Sequence, residues 1–317
     1  MVYRRRTAGG AGAQSLGHGA AAHGGSQRLR GRGPEGGRGE DPAHPQTENP
    51  QRHPGRGPGW LALVSLGPGS PAHLTPRAQE VLAASQVVVG YKMYVDLVQP
   101  LLTGQEVIAT GMMGEVQRCQ LAIDRALAGA RVALVSSGDV GIYGMAGLAL
   151  EICRERGLHV GVLNGGPGVD LPLEVIPGVP ALAAAAALLG APLMHDFASI
   201  SLSDLLTPWE VIHKRVEAAA AADFVIVLYN PKSKKRDWQL GKVRDLILGH
   251  RPATTPVGIV RRAMREGQEV VVTDLGNMLI YPVDMQTIVI IGNSRTSEVD
   301  GMIITPRGYL DKYDLTE

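Results

Sequence analysis

The stretch RVALVSSGDVGIYGMAGLALEICRERG, residues 131–157, reads as one strand–turn–helix unit. It opens on an apolar run of strand length, and from residue 146 its apolar positions recur at helical spacing up to a closing glycine. Between the two lies SSGDVGIYG, residues 136–144, almost all small residues around one carboxylate, Asp139. Glycine lets the chain take positive φ and lets a ligand approach the main chain. In such a turn Asp139 either accepts hydrogen bonds from a ribose hydroxyl or a cationic amine, or simply caps the helix that follows.

Working outward, the same alternation repeats. WLALVSLG (60–67), QVVVGY (86–91) and LEVIPG (173–178) are short buried strands. LTPRAQEVLAAS (74–85) is a helix with Thr75 as N-cap and Pro76 at its first position. GEVQRCQLAIDRALAG (114–129) and PALAAAAALLG (180–190) are further helices, the second built of small residues that allow close packing. Strand and helix in alternation predict an α/β fold with a mainly parallel sheet. Past Asp196 the texture changes. DFVIVLYN (223–230), TTPVGIVRR (254–262), QEVVVTDLG (268–276) and QTIVIIGN (286–293) lie closer together with fewer helices between them, which predicts a mixed sheet. The expected organisation is two α/β domains, residues 59–195 and 196–317, preceded by an extension of residues 1–58.

That extension is Gly, Arg, Pro and His with almost nothing to bury, so the reading from composition is disorder. It lacks the apolar core of a secretory signal. It holds nine arginines against four acids, which leaves the rest of the chain slightly acidic. The net charge of +1 over 317 residues gives no case for a nucleic-acid partner. The alanine-rich run at residues 181–189 stops at Gly190, short of the roughly 18 apolar residues of a membrane span. Cys119 and Cys153 fall inside helical patterns and read as reduced, buried thiols, and no metal-ligand spacing is present. Cytoplasm is the expected location.

Three strands end in glycine turns: Gly67-Pro68-Gly69, Ser137-Gly138-Asp139 and Pro177-Gly178. In open α/β sheets ligands bind outside the carboxyl ends of strands. GPGSPAHLT is not a dinucleotide fingerprint and there is no phosphate-binding P-loop, so a nucleoside-sized ligand with little phosphate fits best.

LVSLGPGSPAHLT, VALVSSGDVGIYGMAGLALEI, EVIPGVPALAAAAALLGAPL and VIVLYNPKSKKR together resemble the tetrapyrrole methylases that use S-adenosylmethionine. The resemblance covers residues 61–309. GYKMYVDLV, GMMGEVQRCQLAID, YNPKSKKRDWQL and the late ITPRGY are similar to the branch that methylates C17 of precorrin-3B or cobalt-precorrin-3 while contracting the macrocycle. The alternatives within the family are methylation of another corrin carbon or of uroporphyrinogen III; outside catalysis, the alternative is a module that binds a nucleoside or a tetrapyrrole. One departure is Val140, where such members usually carry proline, which suggests a looser turn. The resemblance implies two α/β domains with S-adenosylmethionine in the cleft between them and a homodimeric assembly. It implies cofactor contacts at Pro68, Ser137, Gly138, Asp139, Ile142, Pro180, Ala181, Tyr229 and Asn230, with Arg261 to Ala263 closing the adenine side.

A methyl sulfonium is already activated, so the protein mainly aligns and desolvates the reactants. Ring contraction also moves protons, which calls for an acid or base. His195 and Tyr143 are the candidates singled out, beside Tyr91, Asp204, His213 and His73. A corrin precursor carries many carboxylates, so cations should face it. Lys232, Lys234, Lys235 and Arg236 follow one strand, Arg261, Arg262 and Arg265 follow another, and Arg295 and Arg307 follow later turns.

Overall fold

The structure, a computed structural model, describes residues 4–5, 59–163 and 166–314. The disorder expected for residues 1–58 therefore falls, apart from residues 4–5, outside the described residues. β1 (Arg4–Arg5) pairs antiparallel with a late strand at Tyr313–Asp314. Both lie outside the unit of residues 50–307 that carries all that follows.

The first sheet is built from β2 (Trp60–Ser65), β3 (Val87–Tyr91), β4 (Glu106–Thr110), β5 (Arg131–Ser136), β6 (Val160–Gly161) and β7 (Leu171–Ile176), in the spatial order β4-β3-β5-β2-β7-β6. Every pairing is parallel. Helices α1 (Pro76–Ala84) and α2 (Lys92–Val98) cover one face, packed on Ala62, Val64, Val88 and Val135. Helices α3 (Glu115–Leu127) and α4 (Ala146–Glu155) cover the other, packed on Leu61, Leu63, Val89 and Leu134. Alternate residues of the same strands thus feed two cores. Thr75 caps α1 as its sequence predicts, its Oγ1 accepting from Ala78 N–H at 3.2 Å, with proline in the first turn.

Helix α5 (Ala181–Leu189) follows β7 but packs its buried face, Ala185 and Leu189, on the second sheet, against Val225, Val227, Val260 and Ile290. A short β8 (Gly190–Ala191) leads on to β9 (Phe197–Ser201), helix α6 (Trp209–Ala221), β10 (Val225–Tyr229), helix α7 (Gln239–Leu248), β11 (Pro256–Arg261), β12 (Glu269–Asp274) and β13 (Thr287–Ile291). The five longer strands form a mixed sheet ordered β12-β11-β13-β10-β9. β9 and β10 are parallel, and the remaining pairs are antiparallel. Its far face carries α6 and α7 over Ile226, Leu228, Val257 and Val289. β14 (Ser297–Val299), β15 (Met302–Ile304) and β8 make a small third sheet.

Parallel first sheet and mixed second sheet match the sequence expectation. β4 and β9 are strands that the apolar runs did not announce. Both are edge strands, and neither has the fully buried run of a central strand. Cys119 and Cys153 are free and buried, as read from their helical context. Among the described residues no helix is long and apolar enough to cross a membrane.

Candidate active site

The chain leaves β2 toward α1 on one face and leaves the neighbouring β5 toward α4 on the other. Adjacent strands with connections to opposite faces open a crevice at their carboxyl ends, the usual ligand site of an open α/β sheet. Here the glycine turns after β2 and β5 meet. Gly67 and Gly138 exchange main-chain hydrogen bonds at 3.0 and 2.7 Å. The buried Ser65 hydroxyl accepts from Val140 N–H at 2.8 Å. A proline at position 140 has no N–H to give, so Val140 ties this turn down instead of loosening it.

The third turn closes on the same place. Asp139 Oδ2 accepts from Gly178 N–H at 3.0 Å and Oδ1 from Gly141 N–H at 2.8 Å. A Cβ at Gly178 would lie 2.5 Å from Ser65 Cβ and 2.9 Å from Gly138 O, so only glycine lets the three turns pack. The turn-clamping role of Asp139 is thus a fact of the geometry, and each carboxylate oxygen keeps one lone pair for a ligand.

The second sheet presents the carboxyl ends of β9, β10 and β11 to this crevice, and three contacts join the halves. Tyr143, from the turn after β5, donates its hydroxyl to Ser199 O of β9 at 2.9 Å. Its ring lies 4.9 Å from that of Tyr229 at the end of β10. Tyr229 accepts from Leu182 N–H of α5 at 3.0 Å, and burial pushes its phenol up to about 12. Arg265, on the β11–β12 loop, donates Nε to Pro68 O and Nη2 to Ser137 Oγ, the latter at 2.7 Å. Gly69 makes room for it, since a Cβ there would sit 2.5 Å from Nε. Left-handed φ values at Tyr143 (52°), Asn230 (50°), Arg262 (51°) and Met264 (58°) concentrate backbone strain around the crevice, where ligand clamps commonly keep it.

Of the residues named from sequence, Pro68, Ser137, Gly138, Asp139, Ile142, Tyr143, Pro180, Asn230 and Ala263 lie on the connections that follow the carboxyl ends of strands, while Tyr229 ends β10 and Ala181 begins α5. Tyr91 also stands at a carboxyl strand end, 5.2 Å from the Tyr94 ring, with Arg118 over its face. His73 follows the first glycine turn and its Nδ1 is buried without a partner. Others lie elsewhere. His195 precedes β9, and β9 runs parallel to β10 with Ser201 beside Tyr229, so His195 lies beyond the opposite end of the sheet, past about 13 Å of strand. Arg295 follows β13, whose end pairs with Ile226 and lies at that same far end. His213 is exposed on α6 beside the Trp209 ring.

The cations divide in the same way. Lys234 and Lys235 are exposed on the loop after β10, and Lys232 borders a neighbouring depression of about 470 Å³ with Trp238 and Leu279. Arg236 is buried, donating to Asn230 O at 2.7 Å with Asp204 at 3.8 Å, while Asp204 also accepts from Gln239. These two hold the loop together rather than face outward. Arg261 is held by Asp284 at 2.7 Å and Glu269 at 2.8 Å. Burial works against charge on Asp284, but its bonds from Arg261, Gln286 and Thr287 keep its carboxyl below the usual range. Arg262 donates to Gln286. Arg118, missed from sequence because it sits in a helix with an ordinary amphipathic pattern, is buried and donates to Thr110 Oγ1 at 2.7 Å and Gly111 O at 2.9 Å.

The fold is that of an α/β protein whose two large sheets turn their carboxyl edges toward one crevice. The chain belongs to the tetrapyrrole (corrin/porphyrin) methylases, whose family model matches residues 61–279. It is 51% identical over 249 residues to the probable cobalt-factor III C(17)-methyltransferase of Salmonella typhimurium, covering 78% of this chain and 99% of the relative. It is 50% identical over 259 residues to the cobalt-factor III methyltransferase of Priestia megaterium; the match covers 82% of this chain but 47% of that longer protein. The precorrin-3B C(17)-methyltransferase of Sinorhizobium is 42% identical, over 79% of this chain and 97% of the relative. The solved structure of the methyltransferase CobJ superposes with a TM-score of 0.71 at 33% identity, covering 78% of this chain and all of CobJ.

Proposed function

We propose that this chain is an S-adenosylmethionine-dependent methyltransferase that acts at C17 of a corrin precursor, coupled to ring contraction, in cobalamin biosynthesis. The observation that carries the reading is the set of interlocked glycine turns at the β2/β5 switch point, facing Tyr143, Tyr229 and Arg265, in a chain about half identical to relatives named for that reaction. Relatives named for cobalt-factor III are 41 to 51% identical and the one named for precorrin-3B is 42% identical, so both substrates belong to the proposal.

The donor set fits S-adenosylmethionine. The turns at Pro68, Gly138 and Pro180 bring bare main chain to the crevice, the paired phenols of Tyr143 and Tyr229 offer electron-rich surface to a cation, and Arg265 offers a guanidinium to a carboxylate. When bound, the cofactor supplies an electrophilic methyl group. The protein's part is to orient the reactants and exclude water. Tyr143 is the crevice residue offered as the one to hand on a proton: the residue is half exposed and its hydroxyl donates to Ser199 O. Lys234 and Lys235 stand ready for the carboxylate arms of the substrate. A homodimer in the cytoplasm is the assembly and location that accord with the family.

The test is anaerobic incubation of the purified protein with S-adenosylmethionine and, in separate reactions, cobalt-factor III, precorrin-3B or uroporphyrinogen III, followed by mass spectrometry. A single added methyl on cobalt-factor III or precorrin-3B supports the proposal. Methylation of uroporphyrinogen III alone would replace it with another activity of the family.

A further inference from the structure

Arg265 has a property that sets it apart from the other arginines of its loop. Arg261 is bound by two carboxylates and Arg262 by an amide, whereas among the described residues no acid pairs with Arg265. Its two hydrogen bonds go to neutral oxygens, the Pro68 carbonyl and the Ser137 hydroxyl. The side chain is nevertheless partly buried, and burial holds its guanidinium below its ordinary range, with the Tyr94 phenol as the titratable group set near it. A partly buried charge without a counter-charge carries a desolvation cost, which an opposite charge on a ligand would offset.

The surroundings are built to hold it there. Arg262 and Met264 adopt left-handed backbone on the residues before it. Gln268 Oε1 accepts from Met264 N–H at 2.8 Å, and Arg265 N–H donates to Arg262 O at 3.0 Å. Gly69 is bare where any side chain would strike the guanidinium. The loop, the strain and the missing Cβ all serve to place one cation on the Pro68 and Ser137 turns.

We propose that Arg265 is the carboxylate-recognition residue of the crevice: it takes a carboxylate of a bound ligand as a charge-assisted pair, exchanging its neutral partners for it. The proposal deepens the methyltransferase reading and rests on it. Two ligands of that reading carry the chemistry, the methionyl end of the cofactor and the carboxylate arms of the tetrapyrrole.

The experiment uses the full chain, its R265Q and R265K variants, and three probes. S-adenosylhomocysteine and its decarboxylated analogue, 5′-deoxy-5′-(3-aminopropylthio)adenosine, are titrated by calorimetry. Uroporphyrin III is followed by fluorescence quenching. If the cofactor carboxylate is the partner, R265Q weakens S-adenosylhomocysteine by about tenfold or more, leaves the decarboxylated analogue unchanged, and R265K recovers part of the loss. If a substrate arm is the partner, S-adenosylhomocysteine is unaffected and uroporphyrin III weakens to that extent. Equal weakening of S-adenosylhomocysteine and its decarboxylated analogue overturns the proposal, because the residue then only shapes the loop. So does a change of less than about twofold for every probe. In the unsubstituted protein, absence of S-adenosylhomocysteine binding would instead reject the methyltransferase reading itself. Comparing S-adenosylhomocysteine with its analogue on that protein needs no variant to fold.

Discussion

The Gly178 N–H donates to Asp139 Oδ2 at 3.0 Å, and this bond joins the turn after β5 to the turn after β7 across β2, the strand between them. A carboxylate that reads from sequence as a ligand contact is therefore also a clamp on the crevice wall. Asp139→Ala leaves the part-buried N–H of Gly178 and the exposed N–H of Gly141 without their acceptor, a loss of about 0.5–1.5 kcal/mol per bond. The variant is expected to lose thermal stability and S-adenosylhomocysteine affinity together. Differential scanning calorimetry beside a binding titration checks it; an unchanged melting temperature with lost binding would assign Asp139 to the ligand alone.

Gly178→Ala tests the packing of the turns without removing a polar group. The added methyl meets Ser65 Cβ at 2.5 Å in a part of the wall that has no room to give. Overpacking of this kind costs about 1–3 kcal/mol. Ligand affinity should fall with stability, and a crystal structure of the variant should show the turn after β7 displaced from Gly138.

Tyr229→Phe keeps the ring beside Tyr143 but removes the acceptor of Leu182 N–H. That bond anchors the first turn of α5, the helix whose buried face lies on the second sheet. A loss of about 1 kcal/mol in urea denaturation is expected, with faster amide exchange at Leu182.

Burial pushes the Cys119 thiol up to about 12, and burial raises Cys153 as well. In the unfolded chain a thiol ionises near its ordinary value of about 8.5. The folded state then holds the proton more tightly, so the stabilisation is fully present below that value and is lost as pH rises from there through the folded value. The slope reaches at most about 1.4 kcal/mol per pH unit for each thiol. Melting temperatures from pH 8 to 10.5 should fall less steeply for Cys119→Ala than for the unsubstituted protein. Thiol-specific reagents at pH 8 should label neither cysteine until the protein is denatured.

The parallel first sheet was legible because β2, β3 and β5 are central strands, buried on both faces and written as unbroken apolar runs between glycines and capped helices. β4 and β9 were not, since an edge strand buries too little to show such a run. Tyr143, Tyr229 and the glycine turns were legible through the motifs that carry them. Arg118 was hidden because a buried arginine in an amphipathic helix looks like any solvated one until its partners are known.

By itself the sequence determined the central strands and the helices α1, α3, α4 and α5, that glycine turns follow three of the strands, and which family the chain resembles. All of these are local: they depend on periodicity, capping and residues adjacent in the chain. Only the tertiary structure decided that Gly67, Asp139 and Gly178 meet in one wall, that His195 and Arg295 stand at the far end of the second sheet, and that Arg261 and Arg236 are occupied while Arg265 lacks a counter-charge. Strand direction and ion pairing are set by partners remote in sequence, such as Asp284 for Arg261 and Pro68 for Arg265, and no local pattern of residues encodes which of those partners a cation will find.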